Sequence, residues 1–189
     1  GNIIQLGERV LQEVIKQQEV WKNYGREPIV MSINLSSKQL RPNQIVHIIN
    51  TLSLAQISMD YIEFEITETS IMHNHAQAKL LLGMLHKKGI SLAMDDFGTG
   101  YSSFAYLKQF KVDILKIDRM LIKDIQESEN DFTIAKAIVV MAHTLGMKVV
   151  AEGVETEEQV KMLKDIECDY IQGFYYSKPV SPDSVYSNN

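Results

Sequence analysis

The chain has 189 residues, of which 45% are apolar and 23% charged, and this suits one globular domain or most of a larger one. Its net charge of −5 argues against a nucleic-acid groove and a basic membrane-binding face, and no apolar run approaches the roughly 18 residues of a membrane span. Cys168 is the only cysteine, so an intramolecular disulfide framework is excluded and a reducing cytoplasm is the expected location.

Hydrophobic periodicity predicts alternating helices and strands along the chain. An amphipathic helix is expected over the first two dozen residues, and Ser36 or Ser37 is expected to cap the second helix. Four later helices are predicted. The first carries an apolar stripe and ends at Lys88-Gly89, and the second lies around Phe104 to Phe110. The third runs to Leu145-Gly146 with a break near Glu129-Asn130, and the fourth covers residues 157–166. The predicted strands cover residues 29–34, 62–68, 90–96, 114–118, 148–152 and 170–175.

Six strands separated by helices indicate parallel βαβ units, which build either a doubly wound open sheet or a (β/α)8 barrel. An open sheet gathers its site at one crevice, whereas a barrel gathers residues from strands all round the ring. We therefore predict an α/β fold of the (β/α)8 TIM-barrel type. It is N-terminally incomplete, with about six strands visible, because such a barrel typically needs roughly 250 residues and eight strands. The barrel is favoured because the polar and charged strand-end residues come from six successive strands. They are Asn34, Glu65, Asp95, Asp96, Lys116, Glu152 and Gln172.

The chemistry of these strand ends favours a divalent cation. Asp95 and Asp96 are adjacent carboxylates that repel each other unless a cation lies between them, and carboxylate oxygens are the ligands that Mg²⁺ and Mn²⁺ prefer. Paired cations can activate water and clamp the oxygens of a phosphoryl transfer, and a nearby lysine can stabilise the developing charge. The residues alone therefore predict a metal-dependent phosphodiesterase or phosphatase, although sugar-phosphate and enolising barrels also place acids and a lysine there.

A series of motifs in fixed order makes the chain resemble a known family. In chain order the sequence carries Asn34-Leu35-Ser36, Glu65-Ile66-Thr67-Glu68, Asp95-Asp96-Phe97-Gly98-Thr99-Gly100-Tyr101-Ser102-Ser103, Lys116-Ile117-Asp118, Glu152-Gly153-Val154-Glu155 and Gln172-Gly173. These motifs resemble those of the EAL domain, the bacterial phosphodiesterase module that linearises cyclic di-GMP to pGpG. The resemblance extends from Gly1 to about Pro179.

The resemblance implies a two-metal site. Asn34, Glu65 and Asp95 would be metal ligands, with Asp95 bridging two Mg²⁺ or Mn²⁺ ions and Asp96 completing the second ion's site.

The resemblance also implies catalytic and substrate-binding residues. Lys116 and Glu152 would hold or activate the attacking water, and Gln172 would lie beside the substrate or the water network.

Further implied roles concern support and assembly. Glu68 would anchor the loop over 97–103, which in the family links the active site to a homodimer interface, and Asp118 and Glu155 would support the ligands from behind. The implied partners are cyclic di-GMP, a second copy of the chain, and a sensory or cyclase domain in a longer parent protein. That parent could be anchored in a membrane through another domain, but this segment is expected to contact neither membrane nor nucleic acid.

The chain departs from the family at its start, because the Glu-Ala-Leu segment of the family's first strand is missing. Gly1-Asn2-Ile3-Ile4 resembles the family's sequence just after that strand and its first helix, so either the chain is a fragment of a longer protein or the barrel is genuinely incomplete. The intact motifs downstream favour the first alternative, and residues 1–189 are expected to be a fragment of an EAL-type domain. The isolated chain is then expected to bind metal poorly, to be inactive, and to self-associate through its open strand edges. The alternative is a non-catalytic EAL-like module that binds cyclic di-GMP or a protein partner.

Overall fold

The structure is a computed structural model, and it describes residues 2–72, 74–98 and 107–186. The described residues form an α/β fold of two compact units, one from within 1–95 and 102–113 and the other from within 96–101 and 114–189. The strands are β1 (Met31–Asn34), β2 (Ile62–Thr67), β3 (Ser91–Phe97), β4 (Ile114–Ile117), β5 (Lys148–Glu152) and β6 (Tyr170–Gln172). The α-helices are α1 (Asn2–Asn23), α2 (Pro42–Leu54), α3 (Glu68–Met72), α4 (His75–His86), α5 (Arg119–Lys123), α6 (Glu129–Thr144) and α7 (Glu157–Asp165).

In the first unit β1, β2 and β3 run parallel in chain order. Alternation along β2 separates two faces: Ile62, Phe64 and Ile66 are at most 1% exposed, whereas Glu63 and Glu65 point to the opposite face. Helices α1, α2 and α4 each bury an apolar stripe, and in α1 that stripe includes Leu11, Val14, Ile15 and Trp21. The predicted helix–strand alternation is therefore confirmed here, with a short α3 that the periodicity did not predict.

The start of α2 corrects one prediction. Neither Ser36 nor Ser37 caps this helix: Arg41 is its N-cap residue, without a side-chain hydrogen bond to the helix. The hydroxyl of Ser36 instead donates to Oε1 of Gln39 at 2.7 Å, within a turn. Pro42 explains the later start, because its fixed φ and missing N–H suit the first position of a helix.

In the second unit β4, β5 and β6 run parallel in chain order. The break predicted near Glu129-Asn130 is confirmed, because α6 begins at Glu129 with the Ser128 hydroxyl accepting from the backbone N–H of Asp131.

The last strand is shorter than the predicted 170–175, since β6 ends at Gln172. The backbone N–H of Val154 donates to the Gln172 carbonyl at 3.1 Å, and the Tyr175 N–H donates to the Val154 carbonyl at 3.0 Å. A Cβ on Gly173 would lie 2.0 Å from the Val154 carbonyl oxygen. The glycine therefore lets two backbone segments meet where a continuing strand was expected.

Two sequence predictions fall on residues beyond the described part of the chain. The helix expected around Phe104 to Phe110 is described only from Leu107 onward, where the Phe110 N–H closes a turn on the Leu107 carbonyl. The loop expected to carry a dimer contact is described only at Phe97 and Gly98. Among the described helices, none combines the length and the apolar character needed to cross a bilayer.

Candidate active site

Three predicted metal ligands share one face of the first unit's sheet. Asn34 lies opposite Glu65 in the β1–β2 register, and Thr67 lies opposite Asp95 in the β2–β3 register. Because side chains alternate along parallel strands, Asn34, Glu65 and Asp95 point to the same side. Asn34 is exposed, and Glu65 and Asp95 are partly buried. The sheet thus presents one amide oxygen and two carboxylates on one face, near the C-terminal ends of its strands.

A further acid on the same face was missed by the sequence analysis. Glu63 lies two residues before Glu65 and is only 7% exposed. Its carboxylate accepts from the hydroxyl of Ser32 at 2.7 Å and from that of Ser91 at 3.3 Å. The strict i, i+2 spacing of the two glutamates was the available signal. Ser32, Glu63 and Ser91 therefore form a hydrogen-bonded polar row across the three strands, two residues before Asn34 and Glu65.

Asp96 is exposed and has an unusual backbone conformation. Its φ is +58°, a left-handed value that costs a residue with a Cβ about 1 kcal/mol or more. Non-glycine residues in such strained conformations cluster at functional sites. The geometry breaks the alternation of β3, so Asp96 is not constrained to point away from Asp95 as the next residue of a regular strand would be.

In the second unit Lys116 and Glu152 form a close ion pair. Nζ of Lys116 lies 2.6 Å from Oε1 of Glu152, and the two side chains are 6% and 20% exposed. Lys116 is in register with Val150, two residues before Glu152, and Glu152 is in register with Gln172. Lys116, Glu152 and Gln172 therefore share one face of the second sheet, with a buried cation, a carboxylate and an exposed amide side by side.

The three acids predicted to support the site differ in their contacts and exposure. Asp118 caps α5, since its Oδ1 accepts from the Met120 N–H at 2.8 Å. Glu155 is exposed, and its Oε1 lies 2.7 Å from Nη2 of Arg119. Glu68 is the first residue of α3 and is partly buried, and the loop it was predicted to anchor lies beyond the described residues from Thr99 onward.

Arg119 is a candidate functional residue that the sequence analysis did not single out. Its side chain passes over Gly153, where a Cβ would lie 2.3 Å from the arginine Cγ, and Gly153 has a φ of +70°. Arg119 also lines a cavity of about 220 Å³ together with Glu152, Gln172 and Phe174. Its position three residues after Lys116, just past a strand end, was the only signal in the sequence.

The donor set fits a hard divalent cation. Within the described ranges, no group of three or more His, Cys, Asp or Glu side chains is arranged to hold a metal ion. The face that carries Asn34, Glu65 and Asp95 offers two carboxylates and an amide instead, and these oxygen donors are what Mg²⁺ and Mn²⁺ prefer. Soft ligands are lacking on this face, which makes zinc a poorer fit.

A second electrostatic cluster surrounds Asp169, just before β6. Its carboxylate lies 2.6 Å from Nζ of Lys148 and 2.7 Å from Nε2 of His143, and it accepts from the Val149 N–H at 2.9 Å. Burial alone would raise the pKa of Asp169, but the hydrogen bonds from Lys148, His143 and Val149 outweigh it and lower the pKa to about 2. The same contact raises the pKa of Lys148. This cluster lies at the N-terminal ends of β5 and β6, away from the strand ends that carry Glu152 and Gln172.

In each unit, polar and charged side chains lie at the C-terminal ends of parallel strands, which is where barrel-type α/β enzymes form their active sites. The profile of the family described as "EAL domain" matches residues 1–179. This chain belongs to the EAL domain family, so the resemblance seen in the sequence and the predicted fold class are confirmed.

Several similar proteins and solved structures are named as phosphodiesterases or as complexes with cyclic di-GMP. The cyclic di-GMP phosphodiesterase NbdA of Pseudomonas aeruginosa is 39% identical over 181 residues, which are 95% of this chain and 23% of NbdA. A structure named as the PaMucR phosphodiesterase in complex with c-di-GMP is 35% identical, with a TM-score of 0.91 over 98% of this chain and 75% of that one. BlrP1 of Klebsiella pneumoniae, solved as a manganese and cy-diGMP complex, is 32% identical, with a TM-score of 0.79 over 89% of this chain and 44% of BlrP1. The chain spans only about a quarter of the length of the curated relatives it matches.

Proposed function

We propose that this chain takes part in the metal-dependent hydrolysis of cyclic di-GMP to linear pGpG, as a segment of a bacterial signalling protein. The observation that carries the proposal is the Lys116–Glu152 pair beside Gln172, in a chain whose relatives include named cyclic di-GMP phosphodiesterases. In this reaction a water attacks one phosphorus, the bond to the ribose 3′ oxygen breaks, and that oxygen takes up a proton.

The residues of each unit receive separate roles. Asn34, Glu65 and Asp95 would hold a divalent cation, with Asp96 as a further ligand, because their oxygens suit Mg²⁺ or Mn²⁺. The cation, when bound, supplies Lewis-acid activation of the phosphodiester and of the attacking water. A second ion is proposed from the family resemblance, and the manganese and cy-diGMP complex of BlrP1 supports the choice of metal class.

The second unit supplies the groups that orient the water. Glu152 would accept a hydrogen bond from the water while Lys116, fixed 2.6 Å from that carboxylate, provides positive charge for the developing phosphorane oxygens. Gln172, in register with Glu152, would hydrogen-bond to the substrate. Asp118 would fix the chain after Lys116 by capping α5, as its contact with Met120 indicates.

The domain is also proposed to belong to a longer, dimeric protein in the cytoplasm. The relatives are about four times as long as this chain, so residues 1–189 are proposed to be an EAL-type segment of a longer protein with a sensory or cyclase domain. Dimerisation through the loop after Asp96, anchored by Glu68, is proposed from the family resemblance. A cytoplasmic location is proposed because the single cysteine is a free thiol, as suits a reducing compartment.

The test is turnover of cyclic di-GMP by the complete protein, followed by chromatographic detection of pGpG in the presence of Mg²⁺ or Mn²⁺. Glu152→Ala and Asp95→Ala should each abolish turnover, whereas Glu158→Ala, at an exposed acid of α7, should leave it unchanged. Binding of cyclic di-GMP without any turnover by the wild type would favour a non-catalytic sensing module. Full turnover by both site variants would show that the roles are wrongly assigned.

A further inference from the structure

Glu63 is a buried acid to which the hydrolytic roles assign no function. It is only 7% exposed, and no other acidic residue that the structure describes is buried as deeply. Burying a carboxylate is costly unless hydrogen bonds replace the water that it loses. The contacts of Glu63 therefore show what the protein gains by keeping an acid inside the sheet.

Glu63 connects the side chains of three neighbouring strands. In the sheet register it lies directly opposite Ser32 of β1 and Ser91 of β3. Its Oε1 accepts from the Ser32 hydroxyl at 2.7 Å, and its Oε2 accepts from the Ser91 hydroxyl at 3.3 Å. Because each carboxylate oxygen already has a donor, these three residues form a link between strands, here called the Glu63 link, and not a further set of metal ligands.

The proposed metal ligands lie just beyond the Glu63 link on the same three strands. Asn34 and Glu65 each lie two residues after a member of the link, which is roughly 7 Å further along the strand. Asp95 lies four residues after the third member, so these even spacings place ligands and link on one face. In the row of Asn34 and Glu65, β3 contributes Ala93, whose methyl group cannot form a hydrogen bond. The hydrogen-bonded connection from β2 to β3 is made one row earlier, by Glu63.

A side-chain link across three strands restrains the twist of the sheet. The backbone hydrogen bonds set the separation of neighbouring strands, but the rotation between them varies from roughly −10 to −35° among sheets. A change in this rotation would turn Asn34, Glu65 and Asp95 relative to one another. The Glu63 link therefore helps to fix the directions from which these three side chains can approach a cation.

Hard divalent cations differ in how strongly they depend on the directions of their ligands. Mg²⁺ requires near-ideal octahedral geometry at about 2.0–2.1 Å, whereas Ca²⁺ accepts about six to eight oxygen ligands at about 2.3–2.6 Å in a flexible arrangement. We propose that Glu63 is a positioning residue that makes the metal site selective for Mg²⁺ over Ca²⁺, an inference that rests on the proposed function. Loosening the Glu63 link weakens Mg²⁺ binding far more than Ca²⁺ binding.

Two substitutions separate the hydrogen bonds of Glu63 from its negative charge. Glu63→Gln removes the charge, but the amide can still accept from one serine hydroxyl and donate to the other. Glu63→Met keeps a similar side-chain volume and loses both hydrogen bonds. If only the charge mattered, the two variants would weaken Mg²⁺ and Ca²⁺ binding alike, because a carboxylate attracts both divalent cations through the same Coulomb interaction.

The experiment measures Mn²⁺ binding to the complete protein by electron paramagnetic resonance, with Mg²⁺ and Ca²⁺ as competitors. Glu63→Met should weaken Mg²⁺ binding about 10- to 100-fold, the range typical of residues that orient metal ligands, and should change Ca²⁺ binding much less. Glu63→Gln should retain most of the wild-type preference for Mg²⁺. Glu13→Met, at an exposed glutamate of α1, is the matched control and should change neither affinity.

Ser32→Ala tests the same link if Glu63→Met does not fold. It keeps Glu63 and removes only the shorter of its two hydrogen bonds, and circular dichroism checks that the variant is folded. The preference for Mg²⁺ over Ca²⁺ should fall in this variant as well. Equal losses for the two cations, or an unchanged preference, would refute the positioning role of Glu63 and leave the proposed hydrolysis intact. A wild-type protein that binds no divalent cation would overturn both proposals.

Discussion

Lys116 and Glu152 hold opposite charges 2.6 Å apart on neighbouring strands, in a setting where the lysine is almost fully buried. A buried ion pair gains little over an apolar pair, but removing one partner leaves the other charge buried and uncompensated. This asymmetry makes the pair testable apart from any reaction.

We expect Glu152→Gln to lower the free energy of unfolding by about 3 kcal/mol, because the Lys116 ammonium would lose its carboxylate. Restoring neutrality with Lys116→Met in the same chain should recover part of that loss. Urea unfolding with a chelator present measures both effects, and turnover should be lost in every one of these variants. Equal stability of Glu152→Gln and wild type would show that the pair is not energetically coupled.

The Asp169 cluster predicts a defined loss of stability in acid. The folded pKa of about 2 lies below the ordinary value of 3.8, so the folded state binds fewer protons than the unfolded chain between these values. The stabilisation is then complete above about pH 4 and disappears as the pH falls toward 2. The shift corresponds to about 2 kcal/mol.

Denaturant unfolding of wild type and Asp169→Asn across pH 2 to 7 checks this. The difference in stability between the two chains should be largest near neutral pH and should shrink as the pH falls below 4. Asp124→Asn, at an exposed aspartate, should show no such pH dependence. If the stability difference between wild type and Asp169→Asn were the same at all pH values, it would come from side-chain packing and not from the charge of Asp169.

Two glycines with similar φ values allow the cost of backbone strain to be measured apart from the cost of steric overlap. Gly153 has a φ of +70° and its added Cβ would overlap Arg119, whereas Gly146 has a φ of +79° and nothing within 4 Å of an added Cβ. Both alanine variants should lose about 1 kcal/mol from backbone strain, but only Gly153→Ala should also displace Arg119.

Thermal unfolding reports this difference. Gly153→Ala should be less stable than Gly146→Ala, because only its Cβ would overlap a neighbouring side chain. Adding Arg119→Ala to Gly153→Ala should cost less stability than the two single changes sum to. Strict additivity would contradict the proposed contact.

Cys168 should react slowly with thiol reagents in the folded chain. Burial raises the pKa of its thiol to about 11 from the ordinary 9.0, which lowers the thiolate fraction at pH 8 about a hundredfold. Alkylation by iodoacetamide, followed by mass spectrometry, should therefore be much slower in the native protein than in urea. Similar rates in both conditions would show that the thiol is more accessible than the structure indicates.

Chelation tests the proposed metal dependence. Treating the complete protein with EDTA should abolish cyclic di-GMP turnover, and Mg²⁺ or Mn²⁺ should restore it, because Asn34, Glu65 and Asp95 offer only oxygen ligands. Asn34→Ala should raise the metal concentration needed for half-maximal turnover. Undiminished turnover after exhaustive chelation would refute a metal-dependent reaction.

The strand-end residues were predictable because parallel strands bring their C-terminal ends to one edge and period-two alternation fixes each side chain's face. The register confirms this for Asn34 with Glu65 and for Glu152 with Gln172. The start of α2 was predictable only by weighing Pro42 above the nearby serines. The contact of Arg119 with Glu155 spans 36 residues and depends on a path over Gly153, so no local pattern could have predicted it.

The alternation in β2 also bears on how the chain finds its fold. A slip of one residue in the pairing of β2 with its neighbours would turn Glu63 and Glu65 toward the helices and expose Ile62, Phe64 and Ile66 on the other side. Parallel sheets require long-range pairing and fold slowly, which gives misaligned pairings time to form. The two glutamates would make a shifted alignment costly, since each would be desolvated without its partners. The alternation that places Glu63 and Glu65 on one face of the sheet therefore also disfavours a shifted strand register during folding.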